Sequence, residues 1–358
     1  VMGRIDGVGA NGTYVLEDGT VQAGVDLNVA YGNSSRAIFT HNAGTVTVVD
    51  VTLGRNAESD GTYVMTNGLL AAGDEIFIGF NSLTATGRMT VSGGTVTTTD
   101  EIYAGDAGHG VLTVSGSAVI NINGAASDLV IADNSGNNYD NRVDLSGSAT
   151  INVGDSVEIG DAANTRGTLN VEGGTLDIVN GLLVGDVASS TGIVTFSGGN
   201  IQVNGAADLV VGNLGDGEMC MAGSADLDVG DGSGTTLFVV GGGATGEGVV
   251  YQYNGTGTVV GSGGDLDIGQ VAGAVGTYNL RGGLLEIGGD VYVGNAGEGT
   301  LTIDSPIDTE DMALWLDATD IDADGAPDSL SDADPITNWQ DKSGNNRDAS
   351  NVAGAPYY

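Results

Sequence analysis

The sequence predicts an all-β fold: a parallel β-helix, right-handed and three-sided, of about eleven turns, followed by a short segment outside the repeat. A unit recurs from Gly12 through Ala37, Gly61, Gly87, Gly110, Asn141, Gly167, Gly192, Gly217, Gly246 and Gly276 to Gly299. That spacing of about 26 residues belongs to stacked-repeat architectures. Each unit carries three short runs in which apolar and polar residues alternate, the period of a strand with one buried face. Glycine pairs separate the runs, because glycine reaches the backbone angles of tight turns without steric cost. A propeller blade needs about 40–50 residues and four antiparallel strands, so this period is too short for one.

The copy at residues 167–186, GTLNVEGGTLDIVNGLLVGD, shows the elements in order. The first strand centres on Leu169-Asn170-Val171, the second on Leu176-Asp177-Ile178 and the third on Leu182-Leu183-Val184. Three strands of this length leave no room for a helix, and one apolar face per turn must be buried by stacking on its neighbours. The third strand then gives an inward column of Val29, Leu53, Ile78, Ala104, Ile131, Ile159, Val184, Val211, Val240, Ile268 and Val293. The first gives Tyr14, Phe39, Tyr63, Met89, Leu112, Val143, Leu169, Val194, Met219, Tyr278 and Leu301. Cys220 lies between the inward slots of Met219 and Met221 and is expected to point outward; as the chain's one cysteine it excludes an internal disulfide framework.

The 358 residues include 64 Gly but only 4 Pro, and 47 acidic against 9 basic side chains give a net charge of −38. The glycines are periodic, which excludes a disordered low-complexity chain. So acidic a surface repels nucleic acid and anionic membranes and suits a saline or calcium-rich medium that screens carboxylates. No apolar run is long enough to span a bilayer. No charged-then-apolar leader opens the chain, so it is expected to be a mature form or an excised piece.

Two polar columns flank the third strand. Asp26, Asp50, Glu75, Glu101, Asp128, Asp208, Asp265 and Asp290 precede it; Asn33, Asp106, Asp133, Asp161, Asp186, Asn213 and Asn295 follow it. Like charges one strand apart destabilise unless something offsets them. Either Asx side chains bond turn N–H groups, or cations sit between neighbouring carboxylates. The nonapeptide calcium repeat GGxGxDxUx does not occur.

The pattern stops near Pro306, dividing the chain into a repeat domain, 1–305, and an acidic segment, 306–358, that holds both tryptophans and the only lysine, Lys342. Within it Asp320, Asp322 and Asp324 precede Gly325 in the D-x-D-x-D-G opening of a calcium loop, and Asp328 falls at the ninth position. Alternating carboxylates converge on one hard cation there, and the glycine permits the sharp turn. Ser331 stands where an EF-hand places its bidentate Glu, and no amphipathic helices flank the loop. The alternatives are a helix-free calcium loop, resembling those of thrombospondin-type repeats, and a solvated acidic turn.

The copies GTLNVEGGTLDI…LLVGD and GRMTVSGGTVTT…IYAGD resemble the β-strand repeats of bacterial autotransporter passengers and related large secreted proteins, over residues 10–305. The segment Leu314-Trp315-Leu316-Asp317-Ala318, followed by Trp339-Gln340-Asp341-Lys342-Ser343-Gly344-Asn345, resembles the opening of a laminin-G-like, concanavalin-type jelly roll. Such domains are several times longer than this segment, so a complete one is not expected. The resemblances imply a secreted or cell-surface protein and adhesion to carbohydrate or protein.

Catalysis on a β-helix needs acid pairs with His, or Arg and Lys beside calcium. His109 sits in a Gly-His-Gly turn, and His41 aligns with an inward slot, as a hydrogen-bonded core residue would. The arginines look scattered, and the longer turns at 133–140, 241–248 and 261–264 carry small residues. The expected function is therefore a non-enzymatic extracellular structural or adhesive rod, with possible calcium as cofactor and its own copies, glycans or cell-surface proteins as partners. Unpaired strand edges at the ends of a β-helix template further strands, so copies are expected to stack end to end into filaments. The alternative is a glycan-binding or polysaccharide-degrading β-helix using tyrosine platforms: Tyr251 and Tyr253 on one strand, Tyr103 and Tyr292 at one repeat position.

Overall fold

The computed structural model describes residues 10–133, 140–204, 208–230, 236–259 and 264–304, and two short strands, Asn338–Trp339 and Ala349–Ser350. It is a parallel β-solenoid of about eleven turns, with no helix among the described residues. The seventh circuit shows the plan: Arg166–Val171, Thr175–Ile178 and Leu182–Val184 form its three strands. Each strand pairs in parallel with its equivalent one circuit away, so Leu169 stands between Val143 and Val194, and Val184 between Ile159 and Val211. Third strands make an eleven-stranded ladder of their own. First and second ladders merge into one sheet because Thr191–Val203 and Asp216–Val229 run unbroken through the corner between them, absorbing a register shift after Phe196.

Alternation along each strand sends one set of side chains to the axis. The third-ladder column from Val29 to Ile268 is buried throughout, as the sequence pattern predicts; only Val293, in the last full circuit, is exposed. Val250 fills the first-ladder slot between Met219 and Tyr278, where the sequence reading has none, and the repeat glycine of that circuit is Gly248, not Gly246. Met219 and Met221 are buried and Cys220 between them is half-exposed, as expected.

The residue after every third strand adopts positive φ. Nine of these corners are glycine, as at Gly185 (67°) and Gly212 (75°); Ala30 (64°) and Ala132 (72°) are the exceptions. Left-handed backbone costs an L-residue about 1–2 kcal/mol. At Gly185 a Cβ would also run into the carbonyl oxygen of Asp216, the first residue of the strand Asp216–Val229. This repeated corner thus accounts for nine of the chain's 64 glycines. The chain divides into two compact units, Val1–Asp304 and Ser305–Tyr358. In the second, Asn338–Trp339 pairs antiparallel with Ala349–Ser350.

Candidate metal-binding edges of the third ladder

Third strands are three or four residues long, so the acidic residues before and after them line two edges of one narrow ladder. On the leading edge, carboxylates cap the backbone of the next circuit. Asp128 Oδ1 accepts from Ser156 N at 2.7 Å, Asp208 Oδ1 from Leu237 N at 3.0 Å, and Asp265 Oδ1 from Asp290 N at 2.7 Å. Turn capping, one of the two offsets expected for these columns, therefore operates.

Capping leaves the charge in place, and the leading edge carries it in pairs. Asp74 precedes Glu75 and Asp100 precedes Glu101. Ligand oxygens of Asp50, Asp74 and Glu75 lie within 4.8 Å of one another, as do those of Glu75, Asp100 and Glu101. A third such group joins Glu158, on the strand itself, to Asp161 and Asp186 on the trailing edge. Two oxygens bound to one Ca²⁺ at about 2.4 Å can be no more than about 4.8 Å apart, so each group fits a shared hard cation.

Burial, the hydrogen bond that the Glu101 carboxyl donates to Asp100 and the nearby charges of Asp100 and Glu75 push Glu101 up to about 7. Burial with Asp128 and Asp186 takes Glu158 to about 7, and burial with Glu158 and Asp133 takes Asp161 to about 8. Asp106 rises to about 6, mainly through burial. Below these values each carboxyl holds a proton, and at Glu101, Glu158 and Asp161, which belong to the three groups, a bound cation would displace it. Asparagine relieves the repulsion in places by donating along the stack: Asn180 Nδ2 to Asp155 Oδ1 at 2.7 Å, Asn213 Nδ2 to Asp186 Oδ1, itself in the third group, at 2.6 Å, and Asn295 Nδ2 to Asp267 Oδ2 at 2.9 Å.

The trailing column differs from the expected one at its start. Backbone pairing of Arg55 with Ala30 and of Phe80 with Gly54 places Tyr31, Arg55 and Phe80 ahead of Asp106, and Asn33 falls two residues further along its turn. The Arg55 guanidinium lies 5.0 Å from the Tyr31 ring centre and 5.3 Å from that of Phe80. The Phe77 ring stacks on Tyr103 at 5.2 Å and 7°. Tyr103 and Tyr292 share one column, as expected, while Tyr253 lies just beyond the strand Glu247–Gln252 that holds Tyr251. Arg281 packs within 5.8 Å of both rings of that pair.

The arginines are less scattered than the sequence suggests. Register sets Arg36 and Arg166 in one column of the first ladder, and Arg88 and Arg142 in another. Arg88 pairs with Asp60 at 2.7 Å and Arg142 with Asp144 at 2.9 Å, both at the surface. His41 is fully buried and hydrogen-bonded, as its inward slot predicts. Two shallow depressions open to solvent, one across Gly12, Ala37 and Thr62, the other across Ala225, Thr256 and Leu284. The predicted calcium loop, Asp320, Asp322, Asp324 and Asp328, lies outside the described residues, as does the jelly-roll-like segment apart from Trp339. The three carboxylate groups at the ladder edges are not apparent from any local motif, since their members come from neighbouring circuits.

No family model, no curated protein and no solved structure matches this chain.

Proposed function

We propose that the chain is a non-enzymatic structural and adhesive rod of the extracellular space or cell surface, clamped along its third ladder by calcium. The observation that carries this reading is the unbroken parallel stacking of some eleven circuits on aliphatic columns. Such stacking makes a stiff, quasi-one-dimensional body. The three carboxylate groups support the calcium component, because a cation between circuits offsets the repulsion of stacked acids. Stacking of copies end to end belongs to the same proposal, since circuit-to-circuit pairing is the chemistry a second copy would offer.

Negative-stain electron microscopy with and without millimolar calcium tests it. Rods, single or joined end to end, are expected; compact particles would refute the rod, and discrete rods at every concentration would refute end-to-end assembly. Glycan binding is the second reading, favoured by the aromatic side chains on the outer third ladder. The stacked Phe77 and Tyr103 rings cover each other's faces, which leaves the exposed Tyr292 as its better platform. Glycan-array binding lost on Tyr292→Ala would establish it.

A further inference from the structure

His41 and Gln252 occupy the same inward column of the first ladder, whose other circuits hold apolar residues such as Leu16, Met65 and Met221. Both are fully buried, and both are held by the same construction. His41 Nδ1 lies 2.9 Å from the Tyr63 hydroxyl and Nε2 lies 3.3 Å from the Gly44 carbonyl oxygen. Tyr278 donates its hydroxyl to Gln252 Oε1 at 2.6 Å, and Gln252 Nε2 donates to the carbonyls of Gly255 at 3.3 Å and Leu284 at 2.8 Å. In each case the tyrosine comes from the next circuit, and the carbonyl belongs to a left-handed glycine three residues on, Gly44 (89°) or Gly255 (86°). The two copies sit in the second and tenth circuits, near opposite ends of the described stack.

The contacts fix the histidine's state. Nε2 faces a carbonyl, which only accepts, so Nε2 carries the proton and Nδ1 accepts from Tyr63. A second proton on Nδ1 would turn that acceptor into a donor. The Tyr63 hydroxyl proton would lose its partner, and a cation would be buried without a counter-ion. Packed around the ring are Phe39, Tyr63, Gly44 and Gly68, of which Tyr63 alone titrates, and burial drives it far up. Of the acids across the turn, Glu17 accepts from the Asn42 amide at 2.9 Å on the outer face and Asp18 Oδ1 accepts from Gly19 N at 2.6 Å. Arg36 and Asp60 stand at the outer ends of the strands that carry His41 and Tyr63. Gln252 makes the same bridge with an amide, which does not titrate.

We propose that His41 is an acid-operated latch on the early circuits of the solenoid and that Gln252 is its pH-insensitive counterpart near the other end. Acidification opens the turns around His41 and leaves those around Gln252 closed.

Burial lowers the His41 pKa from its ordinary 6.5. The neutral-only folded state is therefore favoured above that value and loses stability as pH falls below it. At pH 5.0 the opening equilibrium around His41 rises, by at most about 30-fold, the ceiling set by an unfolded histidine of pKa 6.5.

Hydrogen–deuterium exchange of the full chain at pH 7.5 and 5.0, corrected for intrinsic rates, tests this against His41→Gln, which keeps every carboxylate in place. The excess opening of the native chain over this variant is expected at residues 36–72 and not at 247–287. Gln252→His is expected to transplant the acid sensitivity to 247–287. Equal acid responses in the native chain and His41→Gln, or no new response in Gln252→His, would overturn the latch. Should His41→Gln fail to fold, the Gln252→His result decides.

Discussion

The corner glycines and the two buried polar bridges are where one residue decides the local structure. Gly185 turns left-handed where the Asp216 backbone passes close. Gly185→Ala is expected to cost about 1–3 kcal/mol by overpacking, beyond its left-handed strain, and thermal unfolding would read it as a lowered Tm. Tyr278→Phe removes the donor to Gln252 Oε1 and leaves a buried acceptor unmet. A loss of about 1–3 kcal/mol is expected in urea unfolding, and Tyr278→Phe paired with Gln252→Met should recover most of it, since methionine already fills that column at Met65 and Met221. Sequence alone exposes His41 because histidine is rare here. Gln252 is invisible to the same reading: one amide in an apolar column is seen only once register sets it over Tyr278.

At the scale of the strand, the third ladder explains both what sequence reveals and what it hides. Its inward column is legible because aliphatic residues recur at one spacing and every circuit must bury the same slot. The trailing column is misread at Asn33 because its slot, two residues past the inward one, holds Tyr31, Arg55 and Phe80 in the early circuits, so a column sought as Asp or Asn finds Asn33 two residues too late. The acid groups combine residues of neighbouring circuits, so no contiguous motif announces them. Their energetics carry a definite sign. Glu101, Asp106, Glu158 and Asp161 have folded values raised to between about 6 and 8. Each therefore contributes stability that is full below its unfolded pKa and is lost as pH rises through the raised value. Without divalent cations, Tm is expected to fall as pH rises from 5 to 8. Asp161→Asn should raise Tm at pH 8 and flatten that slope; an asparagine already donates within this column, Asn213 to Asp186. A steeper slope in Asp161→Asn would contradict the origin assigned to it.

Over the whole molecule, calcium at the proposed clamp would compete with protons for the same oxygens, and this makes the proposal testable without knowing any partner. A cation that binds only the folded chain stabilises it by about 1.4 kcal/mol per site when its concentration is ten times Kd. At pH 5.5 the Glu158 and Asp161 carboxyls hold protons that calcium must first displace, whereas at pH 8 Glu158 is largely ionised and Asp161 about half so, and the two repel. Calcium is thus expected to raise Tm strongly at pH 8 and weakly at pH 5.5. The native chain's dependence of Tm on pH should shrink once calcium saturates. Glu158→Gln with Asp161→Asn should remove the calcium-induced gain assigned to this group, leaving the gains of the two leading-edge groups. His41 works with the opposite sign, because acid loosens its circuits while it relieves the carboxylates, so His41→Gln should steepen the native chain's stabilisation on acidification. Calorimetry across pH 5 to 8, with EDTA or millimolar calcium, separates the two effects: calcium should act on the carboxylate contribution and leave the difference between the native chain and His41→Gln unchanged. If calcium gave the same gain in Tm at both pH values, the cation would be bound away from these raised carboxyls, and the clamp would have to be sought elsewhere on the chain.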